Sequence, residues 1–326
     1  MSTHSGAPLA VPVAPAARLI PRGAAGTGLA TLGPRGVVLD AWYPDPALGS
    51  HPRTASERLV RDATPKRLRQ LTAIDAGRDV EVVAIHTTIA DLTRPSVHAY
   101  DAYLRLHLLS HRVIRPREAN LDGVLELLTD VVWTNHGPVA VEGFHGVHAR
   151  LRARGPVTVH GVGKIPRMVD YVVPSGVRIA DGARVQLGAH LAPGTTVMPE
   201  GFVDYDAGTL GTAIIEGRVT AGVVIGDGSD IGGGTGGATI TIGKRCLIGA
   251  KAELRISLGD DSFVETGLAV AADTIVTRLD GTAVEARTLA GLNNLHLHRN
   301  SITGAIEALP WHGKGIELSA ALLAHN

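Results

Sequence analysis

The chain has 326 residues, of which 44% are hydrophobic and 3% aromatic, and its 31 basic residues balance its 31 acidic ones. A neutral chain of this length forms two or three domains, and its charge balance argues against nucleic acid or an anionic membrane as a partner. The single cysteine, Cys246, excludes an intrachain disulfide and favours a cytoplasmic location, while no segment approaches the roughly 20 apolar residues of a membrane-spanning helix.

The first predicted elements are a leader and an α/β domain. Residues 1–26 are rich in alanine and proline and lack the basic start and unbroken apolar core of a signal peptide, so they are predicted to be a disordered leader. Residues 27–138 are predicted to form an α/β N-terminal domain. Its predicted strands lie at 36–43 and 80–85, and its predicted helices at 100–113 and 120–129.

Two histidines of the first predicted helix, His107 and His111, are four residues apart. This spacing puts them on one helical face, which is the geometry of a metal-binding pair. The surrounding sequence supplies no further histidine or glutamate to complete a site. The pattern therefore favours packing or solvated histidines, and no metal site is predicted.

A connecting region follows the α/β domain. Residues 133–138 (WTNHGP) read as a turn-rich segment. Residues 139–170 are predicted to link this segment to the next domain through a basic, helical stretch at 147–154 and a strand at 156–160.

Residues 171–278 are dominated by aliphatic residues at every sixth position. The four registers are Val173, Ile179, Val185, Leu191, Val197, Val203; then Val219, Ile225, Ile231; then Ile242, Ile248, Leu254; then Leu258, Val264, Val270, Val276. A period of six fits neither a helix nor a simple strand. It is typical of a hexapeptide parallel β-helix, whose triangular coil takes three hexads and stacks on its neighbours. A glycine-rich antiparallel sandwich with coincidental spacing is the alternative.

The last segment, residues 279–326, loses the six-residue period. A β-helix ends in unpaired backbone groups that need a cap or a partner. The tail is therefore predicted to form a small C-terminal cap, or to lie across a neighbouring subunit.

Two interruptions of the repeat carry the chemical candidates. The first contains Glu200, which stands at a coil corner beside Gly201, so its carboxylate can project from a fixed backbone. A carboxylate in such a place can act as a general base or as a nucleophile toward an acyl group; a solvated corner glutamate is the alternative. The second is the glycine-rich stretch 227–237, which allows close backbone approach to a ligand but lacks the pattern of a P-loop.

His190 is the rival catalytic residue, because it is the only histidine at a regular coil position. Hexapeptide acyltransferases that acetylate sugars use a histidine base. A metal hydratase on this scaffold needs about three histidines that converge between coils. One histidine does not meet that need, so the metal-hydratase reading is excluded.

Long segments of the chain resemble one family, the tetrahydrodipicolinate N-succinyltransferases in their actinobacterial form. The resemblance implies a left-handed parallel β-helix with an α/β N-terminal domain and a small C-terminal domain, assembled as a homotrimer. It covers most of the chain beyond the leader. The segments that carry it are YDAYLRLHLLSHR (100–112), VVWTNHGP (131–138), PRMVDYVVPSGVRIAD (166–181), LGAHLAPGTTVMPEGFVDYDAGTLG (187–211), EGRVTAGVVIGDGSDIGGG (216–234), IGKRCLIGA (242–250) and RNSITGA (299–305).

The resemblance also implies a reaction and a set of site residues. The amine of ring-opened tetrahydrodipicolinate would attack the thioester of succinyl-CoA, with Glu200 as the catalytic residue and Arg218 as a bidentate partner for a carboxylate. The resemblance implies succinyl-CoA as a co-substrate and no covalently bound cofactor. It leaves open whether Mg²⁺ binds and assigns no residues to such a site. The residues expected to line the acyl-CoA cleft or to add positive charge beside it are Gly217, Thr220, Gly249, Ala250 and Lys251.

The chain departs from the family pattern at two places. The segment 235–241 is shorter than in relatives, and residues 251–255 (KAELR) replace small residues. Both departures lie on the cofactor side of the expected cleft. They leave open an N-acyltransferase of secondary metabolism that uses acetyl- or another acyl-CoA on a related amino acid. A non-catalytic β-helix used as an assembly module is the third hypothesis.

Overall fold

The structure is a computed structural model that describes residues 22–237 and 239–311. The described residues form two compact units: an N-terminal unit of residues 22–193 and 202–208, and a C-terminal unit of residues 194–201 and 209–311 without 238. The predicted start of the solenoid at 171 differs from this division, since residues 171–193 belong to the N-terminal unit. Most of the predicted leader lies outside the described residues, and its last four residues, 23–26, belong to a strand.

The N-terminal unit contains two antiparallel sheets. One has the strand order β2-β1-β6-β4, with β3 paired to β1 and β5 paired to β6, and the other has the order β8-β7-β9. The strands are β1 (Gly23–Leu32), β2 (Val38–Trp42), β3 (Ala47–Gly49), β4 (Ala55–Arg58), β5 (Ala73–Asp75), β6 (Val80–Ile89), β7 (Val131–Thr134), β8 (Gly137–Ala140) and β9 (Val159–Gly163).

The helices of this unit differ in length from the predicted ones. They are α1 (Lys66–Arg69), α2 (Ala99–Ser110), α3 (Val124–Leu127) and α4 (Phe144–Arg152). The predicted helix 100–113 is confirmed as α2. The predicted helix 120–129 shrinks to the single turn α3, because Gly123 before it has φ +74° and Leu128 after it is extended. Glycine in the left-handed region and an extended residue both interrupt helical hydrogen bonding.

Helix α2 is buried on nearly all sides and carries an ion pair. Residues 101–110 are all buried, and Arg105 donates from Nε to Asp101 Oδ1 at 2.8 Å. Arg105 Nη1 also donates to the carbonyl oxygens of Leu92 at 2.9 Å and Asn120 at 2.8 Å. Such a buried pair is tolerated because both partners are hydrogen-bonded.

The predicted link 139–170 is a folded part of the N-terminal unit. Strands β7 and β8 form a hairpin where a turn-rich segment is predicted. Helix α4 packs Val147 and Leu151 against Val132 and Val139 of that hairpin. The turn residues at 135–136 mark only the tip of the hairpin. The β-branched residues on both sides of them favour strands.

The repeat region forms a parallel β-solenoid of about five turns, consistent with the predicted left-handed β-helix. Within the C-terminal unit its first face joins β11-β14-β17-β20-β22, its second face joins β15-β18-β21-β23, and its third face joins β16-β19. The strands are β10 (Arg178–Ile179), β11 (Thr195–Val197), β12 (Phe202–Val203), β13 (Gly208–Thr209), β14 (Ala213–Ile215), β15 (Arg218–Val219), β16 (Val224–Ile225), β17 (Ser229–Ile231), β18 (Gly234–Thr235), β19 (Thr241–Ile242), β20 (Leu247–Ile248), β21 (Glu253–Leu254), β22 (Phe263–Val264), β23 (Ala269–Val270) and β24 (Ile275–Arg278).

The predicted inward positions are confirmed from Val185 onward, where each is at most 2% exposed. The prediction is wrong for Val173, which is 80% exposed, whereas its neighbour Val172 is 6% exposed and takes the inward place. On the first face the inward column continues through Ile215, which pairs with Val197 before it and Ile231 after it.

Threonine fills inward positions that a search for aliphatic residues misses. Thr209 and Thr235 are 1% and 2% exposed. The Oγ1 atoms of Thr195 and Thr209 lie 2.6 Å apart in a hydrogen bond, which satisfies both buried hydroxyls. The predicted loss of register between 203 and 219 is therefore smaller than the aliphatic pattern indicates.

Cys246 is buried inside the solenoid. Its thiol donates to the carbonyl oxygen of Gly259 at 3.1 Å, and its backbone N–H donates to Ser229 Oγ at 3.0 Å. Burial raises the pKa of this thiol to about 11. Cys246 is therefore a packing residue with a protonated thiol.

The tail adds a strand to the last coil. Its strands are β25 (Ala283–Glu285), β26 (Leu295–Arg299) and β27 (Ile306–Pro310). Strand β26 pairs in parallel with β22, and Leu297 stands in register with the inward Val264. The tail thus supplies hydrogen-bond partners and a buried leucine to the end of the first face.

Candidate active site

Glu200 lies at an exposed turn that follows β11. The turn is closed by Gly201 N, which donates to Met198 O at 2.9 Å, and is tied to the next coil by Met198 N, which donates to Ile215 O at 2.9 Å. A Cβ on Gly201 would come within 2.2 Å of Ile215 O, so the close approach of the two coils requires glycine. The carboxylate of Glu200 therefore projects from a fixed backbone, as the sequence predicts.

The next two coils turn this corner with fewer residues. Only residues 216–218 separate the inward Ile215 from Val219, and only residues 232–234 separate Ile231 from Thr235. Five residues, 249–253, make the same passage on the following coil. Because the short corners lie between longer ones, they form a recess, here called the recessed corner and defined by residues 216–217 and 232–233.

Three of the four residues of the recessed corner are glycines, and the fourth is the exposed Glu216. A Cβ on Gly217 would lie 1.8 Å from Gly233 O, and a Cβ on Gly233 would lie 2.3 Å from Ala252 O. The amides of Glu216, Gly217 and Gly232 already donate to carbonyl oxygens of the next coil. The close stacking of the coils therefore requires both glycines, and these amides are not available as hydrogen-bond donors to a ligand.

The far side of the recessed corner is the turn 249–252. Gly249 N donates to Val264 O at 2.8 Å, and Ala252 N closes the turn by donating to Gly249 O at 3.0 Å. Gly249 is buried, whereas Ala250 and Lys251 are exposed, and Lys251 has φ +59°. Three coil steps of roughly 4.7–4.9 Å separate this turn from the coil of Glu200, or about 14 Å.

Two further predicted residues lie on β15 or next to it. Arg218 is exposed at the start of this strand. Thr220, at its end, donates from Oγ1 to Thr235 O at 3.2 Å, and the missing Cβ of Gly236 leaves room for its side chain. Arg218 thus belongs beside the recessed corner, whereas Thr220 lies at the other end of the strand.

The segments 235–241 and 251–255, which depart from the family pattern, affect the outer surface of the coil. Strand β21 alternates, so that Ala252 and Leu254 point inward and are fully buried, while Lys251, Glu253 and Arg255 are exposed. Gly237, with φ +86°, packs near the Arg255 side chain. The polar residues at 251–255 therefore change the outer surface of the coil and leave its core intact.

A half-buried carboxyl that the sequence did not single out lies beside the corner. Asp230 on β17 has a pKa raised to about 6, first by burial and then by the negative charge of Glu216. It stands in register with Ile214 and Leu247. The sequence places it in the glycine-rich stretch 227–237, which is predicted to interrupt the repeat, but the structure continues the coil there with strands β17 and β18.

The rival residue His190 is only 6% exposed and forms a backbone bridge with Gly208. It belongs to the N-terminal unit, whereas Glu200 belongs to the C-terminal unit. Burial restricts access of a substrate to an imidazole. The exposed Glu200 is therefore the better placed candidate base.

The histidine pair of α2 packs inside the N-terminal unit. His107 Nδ1 is hydrogen-bonded to Tyr103 O at 3.0 Å, and its ring stacks on His111 with the centroids 6.0 Å apart. Burial lowers the pKa of His107 to about 3. Within residues 22–237 and 239–311, no three His, Cys, Asp or Glu side chains are grouped as metal ligands. No helix of these residues has the length and apolar character needed to cross a membrane.

Comparisons with known proteins agree with the observed fold. Residues 128–167 match the family model described as tetrahydrodipicolinate N-succinyltransferase, middle region, and residues 239–272 match the hexapeptide repeat of succinyl-transferase. Among solved structures, the chain is similar to a 2,3,4,5-tetrahydropyridine-2-carboxylate N-succinyltransferase from Campylobacter jejuni, with a TM-score of 0.74, 25% identity, and coverage of 88% of this chain and 92% of that chain.

Curated relatives extend the similarity over nearly the whole chain. A 2,3,4,5-tetrahydropyridine-2,6-dicarboxylate N-succinyltransferase from Salinispora tropica is 49% identical over 92% of this chain and 98% of its own length. The protein of the same name from Pseudomonas putida is 45% identical over 79% of this chain and 82% of its own length. With this identity over this coverage, the chain belongs to the tetrahydrodipicolinate N-succinyltransferase family.

Proposed function

We propose that the chain is an acyltransferase that moves the succinyl group of succinyl-CoA to the amine of ring-opened tetrahydrodipicolinate, in lysine and diaminopimelate biosynthesis. The observation that carries the proposal is the recessed corner, a glycine-floored recess flanked by an exposed carboxylate and by cationic side chains. The substrate class, a tetrahydropyridine dicarboxylate, comes from the names of the relatives. We also propose a cytoplasmic homotrimer, on the family resemblance, which light scattering measures directly.

In the proposed reaction the amine nitrogen attacks the thioester carbon and the C–S bond breaks. Glu200 takes the proton that the amine loses, and the departing CoA sulfur is protonated to the thiol. The exposed turn suits this task, because a general base must reach a substrate proton within hydrogen-bond distance. The nitrogen gains an acyl group, so no oxidant, reductant or covalent cofactor is needed.

The residues around the recess would position the two substrates. The close stacking of the coils at Gly217 and Gly233 keeps this corner short, so that an extended ligand would lie between the longer corners on either side. Arg218 would pair with a carboxylate of the succinyl group or of the amino-dicarboxylate. Gly249, Ala250 and Lys251 would form the far wall, with Lys251 adding positive charge. This positioning is the main contribution of the protein to rate.

The test is an assay of CoA thiol release with tetrahydrodipicolinate and either succinyl-CoA or acetyl-CoA. We expect succinyl-CoA to be preferred, because its terminal carboxylate is matched by positive charge. Glu200→Gln should lower kcat by a factor on the order of 10² to 10⁴, without a change in unfolding temperature. Arg218→Ala should lower the ratio of kcat/KM for succinyl-CoA to kcat/KM for acetyl-CoA by about ten- to a hundred-fold. This is the change expected for the loss of one charged hydrogen bond.

Controls separate the competing hypotheses in the same assay. Glu285→Gln removes an exposed carboxylate on β25 and should leave the rate unchanged. If Glu200→Gln keeps a near-normal rate while His190→Ala loses activity, His190 replaces Glu200 as the proposed base. Equal rates for both donors would favour the N-acyltransferase of secondary metabolism. Failure with every short acyl-CoA and amino-dicarboxylate would favour the non-catalytic assembly module.

A further inference from the structure

A cavity of about 570 Å³ lies within the N-terminal unit. Its lining comes from β1 and β2, from the β7–β8 hairpin, and from the segment around Tyr171. Its size falls in the range of roughly 300–1,000 Å³ that is usual for small-molecule sites. None of the residues proposed above for acyl transfer lines it.

The cavity contains a buried carboxylate, Asp40, which is 8% exposed. Asp40 Oδ1 accepts a hydrogen bond from Thr31 N at 3.1 Å, and Asp40 Oδ2 accepts one from the Tyr171 hydroxyl at 2.7 Å. Both donors are neutral. Burial raises the pKa of Asp40 despite these hydrogen bonds, because a buried carboxylate without a cation is costly to ionise.

The nearby arginines are held by other carboxylates. Arg167 lines the cavity but bonds Asp170 through Nε at 2.9 Å and Nη2 at 2.8 Å. Arg78 donates from Nε to Asp75 Oδ2 at 2.7 Å. Among the described residues no cation forms an ion pair with Asp40. Arg78 is near enough to lower the pKa of Asp40 slightly against the effect of burial, but its guanidinium is bonded to Asp75. Asp40 therefore has no hydrogen-bonded cation of its own.

The remaining walls suit an organic cation better than a metal ion. Trp42, Trp133 and Tyr171 line the cavity, and the Trp133 indole N–H donates to Gly163 O at 3.0 Å, which fixes the ring. Aromatic faces attract ammonium groups and bury alkyl carbon. The lining has two carboxylates, Asp40 and Asp170, and Asp170 is already bonded to Arg167. This leaves too few oxygen ligands for Mg²⁺ or Ca²⁺.

We propose that this cavity binds a small primary amine, with its ammonium group at Asp40 and its alkyl body against Trp42 and Trp133. The ammonium donates to the Asp40 carboxylate and supplies the charge that the fold leaves out. The indole rings cover the alkyl chain. This site is independent of the proposed acyl transfer, since it uses different residues.

The test is titration of the full chain with pentylammonium and 1,5-diaminopentane, followed by calorimetry and by tryptophan fluorescence. Two of the three tryptophans line the cavity, so binding should change the emission saturably. Neutral 1-pentanol and anionic pentanoate have the same chain length and should bind at least about tenfold more weakly, as expected for the loss of a charged hydrogen bond.

Asp40→Asn keeps the shape of the side chain and should weaken pentylammonium binding by about ten- to a hundred-fold. Asp45→Asn, which changes an exposed carboxylate paired with Arg67, is the matched control and should bind as the wild type does. If Asp40→Asn lowers the unfolding temperature, Trp42→Leu provides a second test, with pentylammonium affinity falling more than that of pentanol. Equal binding of pentanol and pentylammonium, no saturable signal with either amine, or undiminished binding by folded Asp40→Asn would overturn the proposal.

Discussion

The two units of the molecule hold negative charge in opposite ways. In the solenoid, Glu200 stands on an exposed turn and its position is set by the backbone of the next coil. In the N-terminal unit, Asp101 and Asp40 are buried, the first beside Arg105 and the second without a cation. An exposed carboxylate costs the fold little, whereas a buried one makes the fold depend on its partner.

Buried charges in the N-terminal unit contribute to stability, whereas the exposed charges of the solenoid are the ones proposed for catalysis. The recessed corner can place charged groups on its rim without weakening the coil, because the inward residues beneath it, Ile215, Val219, Ile231 and Thr235, are buried and carry no charge. The N-terminal unit ties its buried charges to main-chain carbonyls and amides. Substitutions of buried charge should therefore affect stability, as at Arg105, whereas substitution of the exposed Glu200 should affect activity.

The largest effect on stability is expected for Arg105→Ala. This change leaves Asp101 buried without its ion-pair partner and removes the Arg105 donor from Asn120 O. Leu92 O also loses the Arg105 bond but keeps the one from Asn120 N at 2.8 Å. We expect a loss of about 3–5 kcal/mol in the free energy of unfolding. Arg67→Ala removes an exposed ion pair with Asp45 in the same unit and should cost less than about 1 kcal/mol.

Urea unfolding of both variants measures this difference. A similar loss for the two arginines would remove the contrast between buried and exposed charge. Circular dichroism before the titration distinguishes a destabilised fold from one that does not form.

A smaller effect is expected at the floor of the recessed corner. Gly217→Ala places a Cβ 1.8 Å from Gly233 O, so one of the two coils must shift. We expect a loss of about 1–3 kcal/mol, the usual range for overpacking, together with slower acyl transfer. Gly234→Ala is the matched control, because its Cβ meets nothing nearer than Ala252 O at 3.9 Å.

Thermal unfolding and the thiol-release assay, run on both glycine variants, check this expectation. Equal behaviour of Gly217→Ala and Gly234→Ala would mean that the close approach of the coils does not require glycine.

The smallest effect concerns pH and Asp230. Its pKa in the folded state is about 6, above the ordinary value of 3.8, so between about pH 4 and pH 6 the folded state holds a proton that the unfolded state has lost. Stability from this group is therefore present at low pH and lost as pH rises through 6. Asp230→Asn should have an unfolding temperature that exceeds that of the wild type increasingly from pH 4 to pH 7. A constant difference across this range would contradict the raised pKa.

Local sequence patterns were sufficient to predict much of the solenoid. Each coil repeats the same few contacts, so the spacing of Val197, Ile231 and Ile248 reports directly which residues point inward. The same spacing puts Glu200 at a corner. The pattern failed where a polar residue is buried, as at Thr235, because its hydroxyl is satisfied by a hydrogen bond that hydrophobicity does not register.

The N-terminal cavity could not be predicted from the sequence. Asp40, Trp133 and Tyr171 come from distant parts of the chain and meet only through sheet pairing and packing. Asp40 also lies in a short predicted strand, where an alternating acidic residue is ordinarily exposed. Its burial follows from the pairing of β2 with β1, which no periodicity encodes.

The burial of Cys246 makes the chain suitable for site-specific labelling. With a thiol pKa of about 11, only about one molecule in a thousand carries a thiolate at pH 8. A disulfide-exchange reagent used to detect released CoA therefore meets little background from the protein. A cysteine introduced at any exposed position becomes the single reactive thiol, so a spectroscopic probe can be attached beside the recessed corner without first removing the native residue.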